Sequence, residues 1–125
     1  MSMKLKALAT MAAVALLSAA APSATLHFGL DRSVPAAGQS VESPAGVTLW
    51  FTEVPQDNSI SIRLVDARGG MVPSSEPRQD GEDGRQFQIR PSDSLEPGGY
   101  TVAWRGIGQD GHTVRGDFGF TVVGR

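Results

Sequence analysis

The 125-residue chain contains no cysteine. That excludes a disulfide scaffold, a Cys-ligated zinc or iron–sulfur site, and thiol catalysis. Lysine is almost absent, since Lys4 and Lys6 stand alone and both lie in the first six residues. There is no run of Lys or Arg, and the formal charge is −2. The basic footprint that a nucleic-acid binder needs is therefore missing. No G-x-S-x-G stretch occurs and no Ser adjoins His112, so the sequence lacks the nucleophile arrangement of a serine hydrolase. The length leaves room for one domain. Hydrophobic residues make up 40% and charged residues 19%, a balance that does not describe a disordered chain.

The only long apolar run is at the N-terminus. Lys4 and Lys6 precede Ala7–Ala21, which is broken only by Thr10 and Ser18 and is followed by Pro22, Ser23 and Ala24. A positive end, an apolar middle and small exit residues make up the layout of a secretory signal peptide. The run of 15 residues is short for a membrane span, which takes about 20. Residues 1–24 are expected to be the leader, with its end between 24 and 26, and residues 25–125 the exported domain. Cutting after Ala24 leaves Pro22 three residues back, whereas cutting after Leu26 leaves a bulky residue at the exit. With Lys4 and Lys6 removed, nine arginines face 13 acidic residues, and the exported domain carries a net charge of −4.

From residue 26 on, apolar residues alternate with polar ones. The alternating sets are Leu26/Phe28/Leu30, Val47/Leu49/Phe51, Ile60/Ile62/Leu64, Phe87/Ile89, Tyr100/Val102/Trp104 and Phe118/Phe120/Val122. Period two denotes half-buried strands. Turn residues separate the runs at Pro35–Gly38, Pro44–Gly46, Gly69–Gly70, Asp80–Gly84, Pro97–Gly99 and Gly106–Gly111. The pattern predicts an all-β domain, an antiparallel immunoglobulin-like Greek-key β-sandwich of about seven strands, with one short strand near Met71–Pro73. Tyr100, just after Leu95-Glu96-Pro97-Gly98-Gly99, resembles a tyrosine corner. Trp104 shares the row of Tyr100 and Val102 and reads as core, while Trp50 faces the other side of its sheet.

Alternating strands return their ends to the same place. The start of the first strand, the loop after Phe51 and the Gly106–Gly111 loop should share one end of the sandwich. That end would carry His27, Glu53, Asp110 and His112. The two histidines are 85 positions apart in sequence yet are predicted neighbours. A lone His is commonly a residue without a task, and Asp110-Gly111 is also plain turn chemistry. Two other motifs fall away on context. Gly106–Gly111 has the letters G-x-G-x-x-G, but a strand rather than a helix follows, so nothing there would hold a pyrophosphate. Glu82 and Asp83 lie in an exposed turn without the ligand spacing of an EF-hand.

Several blocks together resemble one known family. His27-Phe28-Gly29-Leu30-Asp31-Arg32-Ser33-Val34-Pro35-Ala36 is similar to the mature start, H-A-x-L-x-x-S-x-P-A, of CopC-type periplasmic copper-resistance proteins. Leu49-Trp50-Phe51-Thr52-Glu53 resembles their L-x-F-[ST]-E strand. Leu95 to Trp104 resembles L-x-P-G-x-Y-x-V-x-W. Asp110-Gly111-His112-Thr113-Val114-Arg115-Gly116 resembles D-G-H-x-[VI]-x-G. The blocks cover nearly all of residues 27–123, in order and at family spacing.

The resemblance implies a periplasmic Cu(II)-binding protein that sequesters or delivers copper, and not an enzyme. Its candidate ligands would be His27, Asp110 and His112, joined by Glu53, since some members use the strand Glu as well. Implied partners are the copper ion and an inner-membrane copper transporter or another periplasmic copper protein. A monomer is expected and no nucleic acid. Cu(II) favours four tetragonal N and O donors, which this residue set can supply. Two departures stand out. Phe28 occupies a position that is usually small in the family, and Leu26 precedes His27 where a small residue is usual. Many members also carry a Met-rich loop for Cu(I), whereas here Met71 is the one Met beyond the leader. An N-terminal His paired with a second His on a β-sandwich also describes the copper brace of lytic polysaccharide monooxygenases. A metal-free exported adhesion or assembly module is the third reading.

Overall fold

The computed structural model describes residues 27–124; the expected leader lies outside them. Nine strands form in this span and no helix: β1 (Leu30–Val34), β2 (Ser40–Glu42), β3 (Val47–Phe51), β4 (Ser61–Asp66), β5 (Met71–Val72), β6 (Arg78–Gln79), β7 (Gln86–Ile89), β8 (Gly98–Ile107) and β9 (Thr113–Val123). One sheet has the order β1-β3-β7-β6 and the other β2-β9-β8-β4-β5. The chain crosses between sheets five times, from β1 to β2, β2 to β3, β3 to β4, β5 to β6 and β7 to β8, so the sandwich is all-β with Greek-key connections.

The alternating residues meet between the sheets. Val47, Leu49 and Phe51 of β3, Phe87 and Ile89 of β7, Ile62 and Leu64 of β4, Val102 and Trp104 of β8, and Phe120 and Val122 of β9 are all buried. Phe51 is central, with ring centroids 4.8 Å from Phe28, 5.4 Å from Trp104 and 5.8 Å from Phe87. Burying each such side chain contributes on the order of 1.5–3 kcal/mol. No polar or charged side chain is buried among the described residues. The Tyr100 hydroxyl donates to the Glu96 carbonyl at 2.7 Å, closing the tyrosine corner. Trp50 lies on the outer face, with the Arg32 guanidinium 3.7 Å above its ring.

Three details differ from the sequence reading. There are nine strands rather than about seven, because β2 and β6 were not anticipated. Both are short and largely exposed. Such segments carry no period-two signal and become strands only because a neighbour's backbone is waiting for them. The sandwich is also not purely antiparallel, since β2 runs parallel to β9, with Ser40 opposite Thr121 and Glu42 opposite Val123. Finally, β1 begins at Leu30 and not at Leu26. Residues 27–29 are held by one backbone bond from Thr52 and by the Thr52 hydroxyl in place of a ladder.

Candidate metal centre

One end of the sandwich is tied together by backbone bonds between remote segments. Thr52 N–H donates to the Gly29 carbonyl at 2.8 Å, Phe51 N–H to the Arg85 carbonyl at 2.9 Å, and Gln56 N–H to the Ile107 carbonyl at 2.8 Å. This end presents the start of the described chain, the segment after β3 and the β8–β9 loop.

His27 is placed here by its neighbours. Phe28 is only 3% exposed, stacked on Phe51 and edge-on to Trp104 at 6.3 Å. The hydroxyl of Thr52 donates to the His27 carbonyl at 3.2 Å and accepts from the Gly29 N–H at 3.0 Å. A buried ring and a bridging hydroxyl thus hold the backbone on either side of the His27–Phe28 peptide, while the imidazole stays in solvent. Sequence reading put Phe28 among the alternating apolar residues but gave Thr52 no role of its own, although it lies just past the end of β3 and fills the [ST] position of the L-x-F-[ST]-E block.

The β8–β9 loop brings the second half. Gly111 N–H donates to the Gly108 carbonyl at 3.0 Å, and Gly108 N–H to the His112 carbonyl at 3.1 Å. Gly111 has φ of 86°, a conformation that L side chains rarely adopt. At Gly108 a Cβ would lie 2.8 Å from the Cβ of Phe28 and 2.9 Å from Oε1 of Glu53. Only glycine lets the loop, the anchor and the carboxylate pack this closely. The Gln109 side chain pins the loop from outside by donating to the Val54 carbonyl at 2.9 Å.

Asp110 sits between the two histidines. Its Oδ1 accepts the His112 backbone N–H at 3.0 Å. Its Oδ2 lies 3.0 Å from Nδ1 of His112 and 3.9 Å from Nδ1 of His27. The backbone N–H of His112 is the main reason that the Asp110 carboxyl titrates below its usual range. Desolvation opposes the shift, and the two imidazoles reinforce it. In the tautomer where Nδ1 of His112 is protonated, that nitrogen donates to Asp110 and Nε2 keeps its lone pair. Ligand atoms of His27, Asp110 and His112 all fall within 4.8 Å of one another, and all three residues are exposed. Two imidazole nitrogens and a carboxylate in reach of one point can chelate a divalent transition metal.

Glu53 occupies a different place. Its Oε1 accepts the Gln109 N–H at 3.2 Å, beneath the loop, and its carboxylate is not in the cluster of three. In this arrangement it shapes the backbone that presents Asp110 and His112. The rejected G-x-G-x-x-G reading is settled by the same region, since β9 starts at Thr113 with no helix to receive a phosphate.

The chain is similar to known proteins over nearly the whole sandwich. The CopC domain family model matches residues 30–123. Copper resistance protein C of Xanthomonas campestris pv. juglandis is 28% identical over 122 residues, covering 94% of this chain and 96% of the relative. Protein YobA of Escherichia coli K12 is 29% identical over 102 residues, covering 81% and 82%. Among solved structures, PcoC, a methionine-rich copper resistance protein from Escherichia coli, superposes with a TM-score of 0.70 at 27% identity, over 78% of this chain and 99% of that one. CopC from Methylosinus trichosporium OB3b does so with a TM-score of 0.70 at 30% identity, over 77% and 93%. With a family model spanning the whole sandwich and structural neighbours of the same architecture, this chain belongs to the CopC family.

Proposed function

We propose that the protein binds Cu(II) in the periplasm through His27, Asp110 and His112, and holds or hands on copper as part of copper resistance. The observation that carries this is the meeting, within 4.8 Å, of ligand atoms from two segments at opposite ends of the sequence. Imidazole and carboxylate donors suit Cu(II), and no thiolate or thioether is among them. Met71, the one methionine of the described residues, is exposed on β5 and outside the cluster, so a Cu(I) thioether site is not part of the proposal. The N-terminal segment, ending between residues 24 and 26, acts as the cleaved export leader. The partner that receives or supplies copper is an inner-membrane transporter or another periplasmic copper protein, met by a monomer. The enzyme and metal-free readings find no support among the relatives, which include proteins named for copper resistance.

A second ligand set is written in the sequence. Cleavage after Ala24 would start the mature chain Thr25-Leu26-His27. An amine, two backbone amides and the imidazole at the third position form a square-planar Cu(II) chelate without Asp110 or His112. Cleavage after Leu26 makes His27 the terminus and adds its amine to the cluster. Intact mass of the exported protein, with and without Cu(II), fixes both start and stoichiometry. Electron paramagnetic resonance of the Cu(II) form then compares the parent with His112→Ala. A changed spectrum is expected. A Thr25 start with a spectrum indifferent to His112 would replace the three-residue cluster by the chelate.

A further inference from the structure

The outer face of the five-stranded sheet carries an arrangement that copper binding does not use. Arg105 of β8 lies directly opposite Arg115 of β9 and, on its other side, opposite Ser61 of β4. One row further along, Arg63 of β4 faces Ala103, which faces Asp117. The three arginines are exposed and occupy adjacent strands, around a floor made by the small side chain of Ala103. Together with Asp117 they line a shallow concavity of about 460 Å³. Like charges directly across a strand pair destabilise a sheet, so this register costs the fold something. It is not relieved internally: the ion pairs among the described residues are His27–Asp110, Arg85–Asp83 and His112–Asp110. No guanidinium of the three donates a hydrogen bond to a described residue, and Asp117, in the next row, pairs with none of them. The exported domain is otherwise acid-rich, with a net charge of −4.

We infer that this face is a docking surface for an acidic, carboxylate-rich segment of a partner protein. Guanidinium forks on neighbouring strands, spaced about 5 Å across and about 7 Å along the sheet, match carboxylates displayed on an extended chain and can take them bidentately. The concavity is open to solvent over much of its extent, which suits a macromolecule better than a small anion. Trp104, the one large apolar residue along it, is only 8% exposed and offers little to a bilayer. Position gives the surface a use that rests on the copper reading. Arg115 is three residues along β9 from His112, so a partner docked here sits within roughly 10 Å of the cluster. Electrostatic docking of this kind steers encounter and sets orientation.

The test uses the exported protein, isotope-labelled, titrated with a short poly-glutamate peptide at low ionic strength. Amide shifts should concentrate on β4, β8 and β9 around Arg63, Arg105 and Arg115. Arg105→Gln with Arg115→Gln should weaken binding at least about fivefold, and added salt should do the same. The double variant should keep its thermal midpoint or raise it, because a like-charge pair is removed; its Cu(II) affinity should be unchanged. A lowered midpoint would mark the arginines as structural and overturn the proposal. So would shifts confined to other faces, or binding that the double variant retains. Binding to phosphatidylglycerol vesicles in preference to the peptide would assign the face to a membrane instead. Because Cu(II) affinity is read separately, loss of the copper site and loss of docking are distinguishable.

Discussion

Two Gly-rich acidic loops lie at the same end of the sandwich, and only one of the two gathers a group of side chains able to hold a metal ion. In Asp80-Gly81-Glu82-Asp83-Gly84, Oδ2 of Asp80 accepts the N–H groups of Glu82 and Asp83, each at 2.9 Å. Oδ1 of Asp83 accepts the Arg85 N–H at 3.0 Å and its Nε at 3.3 Å. The carboxylates of Asp80 and Asp83 are engaged by the loop itself and by a neighbouring cation. In Gly108-Gln109-Asp110-Gly111-His112, Oδ1 of Asp110 closes the turn in the same way, but Oδ2 is left facing two imidazoles. In both loops a backbone N–H is the main cause of the lowered carboxyl pKa, at Asp83 from Arg85 and at Asp110 from His112. A low carboxyl pKa therefore marks turn chemistry and does not separate a metal site from an ordinary loop. What separates them is His27, delivered from 83 residues away in sequence by Phe28 and Thr52.

The strongest way to break the contrast is to remove the delivery. Phe28→Ala should cost about 3–5 kcal/mol of stability, the usual result of deleting a buried ring. The variant should also bind Cu(II) more weakly, since His27 is no longer fixed. Urea unfolding measures the first and a competition titration the second, with Phe28→Leu expected to fall between. Parent-like stability would show that the ring is not the anchor.

Acid comes next. Protons compete with the metal for imidazole nitrogens, and a model-peptide imidazole titrates near 6.5. Affinity should therefore fall between pH 7 and 5, and more steeply for two imidazole ligands than for one. Asp110 is held ionised well into acid, so it adds little over this range. An affinity that stays flat from pH 7 to 5 would contradict a two-histidine site.

The smallest effects are local and set the two loops side by side. His112→Ala should weaken Cu(II) binding by at least about tenfold while barely changing stability, because His112 is an exposed loop residue. Asp83→Ala should leave Cu(II) affinity where it was. Matching losses from both substitutions in one titration would mean that the acidic end acts as a diffuse field, without a defined ligand set.

Much of this was legible beforehand because it is repeated along the chain. Alternation in Val47–Phe51, Ile62–Leu64 and Tyr100–Trp104 specifies which face is buried, and Pro and Gly clusters specify where strands stop. Strand parity then puts His27, Glu53, Asp110 and His112 at one end without any coordinates. The same reasoning could not see β2 or β6, whose residues have no pattern of their own and pair because β9 and β7 offer an edge. Nor could it separate Glu53 from the other three. That distinction depends on which oxygen meets which N–H, and Glu53 is used by Gln109.

The buried rows and the residues that share an end thus follow from the sequence alone, since they depend on local periodicity and on chain direction. The charge of −4 over residues 25–125 is likewise a matter of counting. Only the tertiary structure decides that Phe28 is an anchor, that Thr52 bridges residues 27 and 29, and that Asp110 has one oxygen to spare. Only it brings Arg63, Arg105 and Arg115 together, from a sequence in which no two arginines are adjacent. The physical reason is the same in each case. Periodicity tells a side chain which way to point, but distances of a few ångströms between remote segments are set by register and packing, where every strand must satisfy its neighbours at once.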